Sequence, residues 1–269
     1  MNRGTGDDTY AGYCLFGSIL FFQDGKDAMN LLLLHESDRL DETRFLVSGR
    51  RAEHIRKVLH SVPGDILRAG FFGGRLGSAT VTAIDRDRGV ELECPVFDQE
   101  PPAKNRIVPV ISLPRPQSFK KTLHFIASSG IAKAFFVGSA RVEKSYWKSS
   151  AMAPEAIREE LILGLEQGMD VILPELKFYH SLREFFQQEQ DFLGNCSLKL
   201  LAHPEPGAPP CPHAVEPPGC LALAIGPEGG YTPDETAAFR DRGFECVTLG
   251  PFILRVEFAL SVLCGKLTP

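Results

Sequence analysis

Two short apolar runs, each closed by Gly-Pro, constrain this chain more than any other feature. The first is Leu221–Ile225, followed by Gly226-Pro227-Glu228-Gly229-Gly230. The second is Val247-Thr248-Leu249, followed by Gly250-Pro251-Phe252-Ile253-Leu254-Arg255. Leu221–Ile225 carries no polar alternation, which predicts a strand buried on both faces, as in parallel sheets. The glycines behind it allow positive φ and let the backbone come close to a ligand. Thr232-Pro233-Asp234-Glu235 reads as a helix start, with an N-cap, a proline at the first helical position and acids in the first turn. Two such loops at the ends of parallel strands face one crevice, where open α/β sheets bind ligands. The same glycines also suit ordinary tight turns. Gly-Pro-Glu-Gly-Gly lacks the Walker Lys-Ser/Thr pair and the G-x-G-x-x-G spacing, so a nucleotide phosphate is not the expected guest. A neutral or cationic cofactor held by main-chain groups fits better.

Upstream, the texture divides the chain. Residues 1–27 show one apolar run, 10–22, and no other pattern. A strand is expected at 29–34, an amphipathic helix at 50–59, and strands at 66–69, 75–84 and 90–95, separated by Gly-Gly and Asp-Arg-Asp-Arg-Gly turns. Short strands, tight turns and one small helix suggest a compact β-barrel-like module. Residues 99–104 contain two prolines and read as a linker. Beyond them strands are expected at 107–113, 134–138, 170–173 and 198–202. Helices are expected at 116–129, 154–167, 181–188 and 256–267. This alternation is that of an α/β fold. The expected division is an extension of unclear role at 1–28, one domain at 29–100 and a second at 105–269.

Charge separates the same two parts. The net charge is −5, which by itself argues against a nucleic-acid binder, but residues 29–150 hold 19 Lys and Arg against 13 Asp and Glu, a balance of +6. Residues 151–269 hold 8 against 17, a balance of −9. The first part is therefore the candidate for phosphate contact, with an affinity that falls steeply as salt rises; the other reading is a solvated basic face. No run approaches the ~18 apolar residues of a membrane span. Asp7 and Asp8 precede the 10–22 run and no small-residue cleavage pattern follows it, so a secretory leader is not expected. Seven scattered cysteines suit reduced thiols in a cytoplasm. Cys211, His213 and Cys220 lack a fourth partner, so no metal is expected.

Four motifs then point one way. They are Gly-Pro-Glu-Gly-Gly at 226–230, Leu-Gly-Pro-x-Ile-Leu-Arg-x-Glu at 249–257, His-x-x-Lys-Val-Leu with Pro-Gly-Asp at 54–65, and Arg-Val-Glu-Lys-Ser-Tyr-Trp at 141–147. The chain resembles the RsmE-type members of the SPOUT methyltransferases, which methylate N3 of a uridine in small-subunit ribosomal RNA. The resemblance runs from Met29 to Leu267. It implies a PUA-like β-barrel domain that binds RNA, followed by a SPOUT α/β domain with a trefoil knot. It further implies S-adenosyl-L-methionine as cofactor, ribosomal RNA or the small subunit as partner, and a homodimer.

For the cofactor, apolar walls and main-chain groups are expected from Leu201, Ala202 and His203, from Ile225, Gly226, Pro227, Gly229 and Gly230, and from Leu249, Gly250, Pro251, Ile253 and Leu254. Uridine N3 is a weak acid with a pKa of roughly 9–10, near that of a phenol, so its proton must leave or the developing anion be stabilised. Arg255 is the candidate for the second role. Glu228 and Glu257 are candidates for a base or for orienting Arg255, and each equally suits a structural salt bridge. Arg50, Arg51, Arg56, Lys57, Arg141 and Lys144 are the candidate RNA contacts. Tyr146 and Trp147 suit base stacking or core packing. The chain departs from the family pattern at Phe252, where an Arg is usual, and at Phe258, where a Thr is usual. Two alternatives stay open: a methyltransferase for another RNA position or ribose, and a non-catalytic RNA-binding relative.

Overall fold

The computed structural model describes residues 31–216 and 219–269. The expectations for 1–28, and the first two residues of the strand expected at 29–34, lie outside the described residues. The first sheet uses β1 (Leu32–Leu34), β2 (Arg44–Val47), β3 (Ile66–Phe71), β4 (Leu76–Asp85), β5 (Gly89–Glu93) and β6 (Phe97–Gln99), in the order β1-β3-β4-β5-β2 with β6 beside β4. Only the β1–β3 pair is parallel. A register shift between Val81 and Ala83 bends β4 and helps curl the sheet. Helix α1 (Gly49–Lys57) lays Ala52 and Ile55 on a core with Phe45, Val47, Val81 and Leu92. β2 and β6 had no sequence expectation. Each is three or four residues long, and pairing to β5 and β4 rather than local pattern makes them strands.

The second sheet is parallel throughout, in the order β12-β10-β11-β7-β8-β9. Its strands are β7 (Ile107–Ser112), β8 (Lys133–Val137), β9 (Glu175–Tyr179), β10 (Leu198–Ala202), β11 (Leu221–Ile225) and β12 (Glu245–Val247). Helices α2 (Pro116–Ser128), α3 (Pro154–Gly168) and α7 (Val256–Leu267) supply Phe119, Leu123, Leu161, Leu165, Leu260 and Leu263 to one face, where Ile111, Phe136, Leu221 and Leu223 meet them. Helices α4 (Leu182–Gln188), α5 (Gln190–Asn195) and α6 (Pro233–Arg240) bring Phe185, Leu193 and Phe239 to the other face, against Val110, Phe135, Ala222 and Ala224. Successive strand residues thus meet opposite cores. That is why β7 and β11 are apolar without alternation. The capping box at the start of α6 forms as its sequence suggests: Thr232 Oγ1 accepts from Glu235 N at 3.3 Å, and Glu235 Oε2 accepts from Thr232 N at 2.9 Å.

Two expected strands are corrected. Residues 170–173 form a loop, and the strand is β9, ending at Tyr179. The Asp170 carboxylate accepts from Val171 N at 2.7 Å and Ile172 N at 3.1 Å and pairs with Lys104, so it folds the backbone locally instead of offering it to a ladder. This apolar stretch is needed at the seam between the sheets. Gly73 N donates to Val171 O at 2.8 Å, and a Cβ on Gly70 would overlap the Val171 side chain. The strand expected at 247–249 ends at Val247, because Thr248 turns to pair with Pro210 of the proline-rich loop. The seam also takes Leu31, Leu33 and Phe72 into the second core, while Phe71 stays in the first.

Candidate functional site

The register of β10 decides where the site forms. Ala202 pairs with Ile225 on one side and Val247 on the other, so three strands end in one row. His203, the 226–231 loop and the 248–254 loop leave from that row and surround a cavity of about 310 Å³. Its floor is Tyr231, a buried ring whose hydroxyl donates to Ile225 O at 3.1 Å. Burial pushes the Tyr231 phenol above its usual range, so it stays protonated and holds the strand end in place. Gly230, at φ +73°, closes its turn with N–H to Pro227 O at 2.8 Å, and Gly250 sits at φ +110°. Gly226 lies so close to Tyr231 that a Cβ would be 3.2 Å from the ring. The His203 imidazole lies 6.5 Å from that ring, and burial, as the largest cause, lowers its pKa. It is therefore neutral at pH 7.

Side chains from distant parts of the chain fix the first loop. Glu228 Oε1 accepts from Arg115 Nε at 3.0 Å and Arg115 N at 3.2 Å, joining the loop to the start of α2. Glu235 Oε1 accepts from Ala140 N at 2.7 Å, tying the β8 loop to the start of α6. Arg141 donates to Gly229 O and lines the cavity. Arg115 and Tyr231 had no sequence expectation. Arg115 stands in Leu-Pro-Arg-Pro with no motif around it, and Tyr231 follows Gly230 in a stretch read only for glycines and a cap.

The structure gathers most of the expected cofactor residues. Ala202, His203, Ile225, Gly226, Pro227, Gly229, Gly230, Leu249, Gly250, Ile253 and Leu254 line the cavity, together with Glu228. Leu201 points away, into the core beside α4 and α6, as strand alternation requires. Pro251 lies outside the lining, exposed between Gly250 and Phe252. Phe252 is a lining residue and 83 % exposed. Arg255 caps the start of α7 with its side chain exposed, one residue from Val256 in the cavity wall. Glu257 is buried behind that wall, and its carboxylate oxygens have no hydrogen-bond partner among the described residues. Its nearest cation is Lys121, at 3.9 Å.

The basic candidates are dispersed. Arg50 pairs with Glu166 at 2.8 Å across the seam, and Arg51 binds Asp38 and Leu33 O. Arg56 donates to Asp85 O and Arg86 O, and Lys57 pairs with Glu53 at 3.2 Å. Arg51 is half-buried and holds the first sheet; Arg50, Arg56, Lys57 and Lys144 are reachable from solvent to differing degrees. Tyr146 donates to Glu143, and Trp147 lies 4.3 Å from the His180 ring, so both aromatics are already in packing contacts. Among the described residues no group of three or more His, Cys, Asp or Glu is placed to hold a metal ion, and no helix is long and apolar enough to cross a membrane.

The family model of the RNA methyltransferase domain matches residues 101–268, which contain the whole cavity. The chain belongs to this RNA methyltransferase family. It is 29 % identical over 239 residues to the protein named ribosomal RNA small subunit methyltransferase E of Treponema pallidum, covering 88 % of this chain and 90 % of that one. The protein of the same name from Mycobacterium bovis is 27 % identical over 245 residues, covering 87 % and 90 %. The fold matches the solved ribosomal RNA small subunit methyltransferase E of Neisseria gonorrhoeae, bound to S-adenosyl methionine, with a TM-score of 0.63 at 22 % identity over 86 % of this chain and 94 % of that one. A Legionella pneumophila methyltransferase solved with the same cofactor gives a TM-score of 0.62 at 22 % identity, covering 86 % and 96 %.

Proposed function

We propose that this chain methylates N3 of a uridine in small-subunit ribosomal RNA, using S-adenosylmethionine held in the 310 Å³ cavity. The observation that carries the reading is the row of strand ends at Ala202, Ile225 and Val247, which brings three loops of small and apolar residues around one space. The residues present fit the cofactor. Leu249, Ile253 and Leu254 offer apolar walls for a purine, while Gly226, Gly229 and Gly250 leave main-chain groups uncovered by side chains. A neutral His203 adds no positive charge beside a cationic cofactor. When bound, S-adenosylmethionine supplies an electrophilic methyl on a sulfonium centre. The chain would bind and orient it, and Arg255 at the rim would stabilise the negative charge developing on the uridine as the N3 proton passes to solvent water. Glu228, engaged by Arg115, positions the loop, and Glu257 lies two residues on from Arg255 with Lys121 3.9 Å away and no hydrogen-bond partner among the described residues.

Residues 29–100 are the PUA-like RNA-binding domain and residues 105–269 the SPOUT domain with its trefoil knot, in a cytoplasmic homodimer. The first sheet, its surface arginines and the +6 balance of 29–150 support the RNA role. Phe252, Ile253, Phe258 and Val262 support the dimer: they lie exposed together along the second loop and α7, beside the cavity. Phe258→Asp is expected to convert a micromolar dimer to monomer in analytical ultracentrifugation. A monomeric parent protein at that concentration would remove the dimer from the account. The function itself is tested by mass mapping of modified nucleosides in small-subunit RNA from cells lacking the protein. One N3-methyluridine should disappear and return on re-expression; loss of a ribose or other base methyl instead would reassign the target.

A further inference from the structure

We infer that Cys196 and Cys220 are a redox-convertible pair whose disulfide staples the base of the β10–β11 unit. Their sulfur atoms approach to 2.7 Å. The backbone fixes this approach: Ser197 N donates to Cys220 O at 3.1 Å, and β10 and β11 then run in register from Leu198 and Leu221. Cys196 is buried at the end of α5, while Cys220 is partly exposed and reachable. Burial and the neighbouring Cys220 sulfur raise the pKa of the Cys196 thiol, and Cys220, the more exposed of the two, is the sulfur that a soluble oxidant meets first.

The step needs a disulfide oxidant such as oxidised glutathione. The Cys220 thiolate attacks one glutathione sulfur and releases a glutathione thiol, leaving a mixed disulfide. Cys196, losing its proton, then attacks the Cys220 sulfur and releases the second glutathione thiol. The two cysteines lose two electrons together, the oxidant gains them, and both thiol protons end on glutathione. The closed loop carries β10, His203 and the proline-rich loop, so cross-linking it restricts the unfolded chain and stabilises the fold. The pair stands at the opposite end of β10 from the cavity, roughly 15–20 Å away at about 3.3 Å per residue. Oxidation should therefore stabilise the protein without altering cofactor affinity.

The full-length protein is treated with excess oxidised glutathione, digested without reduction and mapped by mass spectrometry, with thermal melting and cofactor titration in parallel. A 2 Da loss, a linked peptide joining Cys196 to Cys220 and a melting rise of roughly 5–10 °C are expected. Cys196→Ser and Cys220→Ser should each abolish the rise and leave cofactor affinity within about twofold. Persistent free thiols, a stable glutathione adduct on Cys220, linkage to another cysteine, or a cross-link that does not raise the melting temperature would each overturn the inference.

Discussion

Gly226→Val should remove cofactor binding while the protein stays folded. Gly226 follows β11 directly, and its missing side chain is the space between the backbone and the Tyr231 ring. A single Cβ there would already stand 3.2 Å from that ring, and the two further methyls of valine must push Tyr231 or enter the cavity. Tyr231 cannot yield easily, because its hydroxyl anchors Ile225 O and its ring packs on Phe239 at 5.0 Å. Forcing extra methyl groups into a packed site costs about 1–3 kcal/mol, roughly fivefold to more than a hundredfold in affinity. Calorimetric titration with S-adenosylmethionine reads the loss, and circular dichroism checks the fold. Gly226→Ala is the milder companion and should lose only a few-fold. Undiminished affinity in the valine variant would place the cofactor elsewhere.

Arg255→Ala should slow methyl transfer by roughly a hundredfold to a thousandfold, the range for removing one transition-state donor, with cofactor affinity unchanged. Arg255 is exposed at the N-cap of α7 and outside the cavity lining, and its side chain makes no capping hydrogen bond, so its removal opens no hole and breaks no side-chain hydrogen bond among the described residues. Phe252→Arg probes the same electrostatic reading from the other side. Phe252 is 83 % exposed at the mouth of the cavity, at the position where the family pattern that the sequence resembles would have an Arg. Restoring that charge should leave cofactor affinity unchanged and give equal or faster transfer. A strong loss of cofactor binding in Phe252→Arg would make the phenyl part of the binding wall. Equal transfer by Arg255→Ala and the parent would take Arg255 out of the chemistry.

The local devices were legible in the sequence, since each depends on residues close together in the chain. The unalternating Leu221–Ile225 run fixed a strand buried on both faces, and Thr232-Pro233-Asp234-Glu235 fixed the α6 start to the residue. The glycine loops marked where positive φ would be needed, as found at Gly230 and Gly250. Strand–turn texture gives way to strand–helix texture near residue 100, and the structure passes from β6, ending at Gln99, to β7, starting at Ile107. Sequence misplaced the strand at 170–173 because an apolar stretch serves a seam between sheets as well as a ladder. Only the neighbouring β3 shows which. Register could not be read either. Ala202 lies between Ile225 and Val247 only because β10 is sandwiched by β11 and β12, an order that hydrogen bonding between distant segments decides. Arg115 became the partner of Glu228 across 113 residues of chain, and Cys196 met Cys220 for the same reason. Arg50 and Arg51, basic by sequence, are spent on Glu166 and Asp38. Sequence thus determined which residues can make glycine loops at strand ends. The tertiary structure decided which charges pair within the fold, because an ion pair depends on distances that the chain's own order does not set.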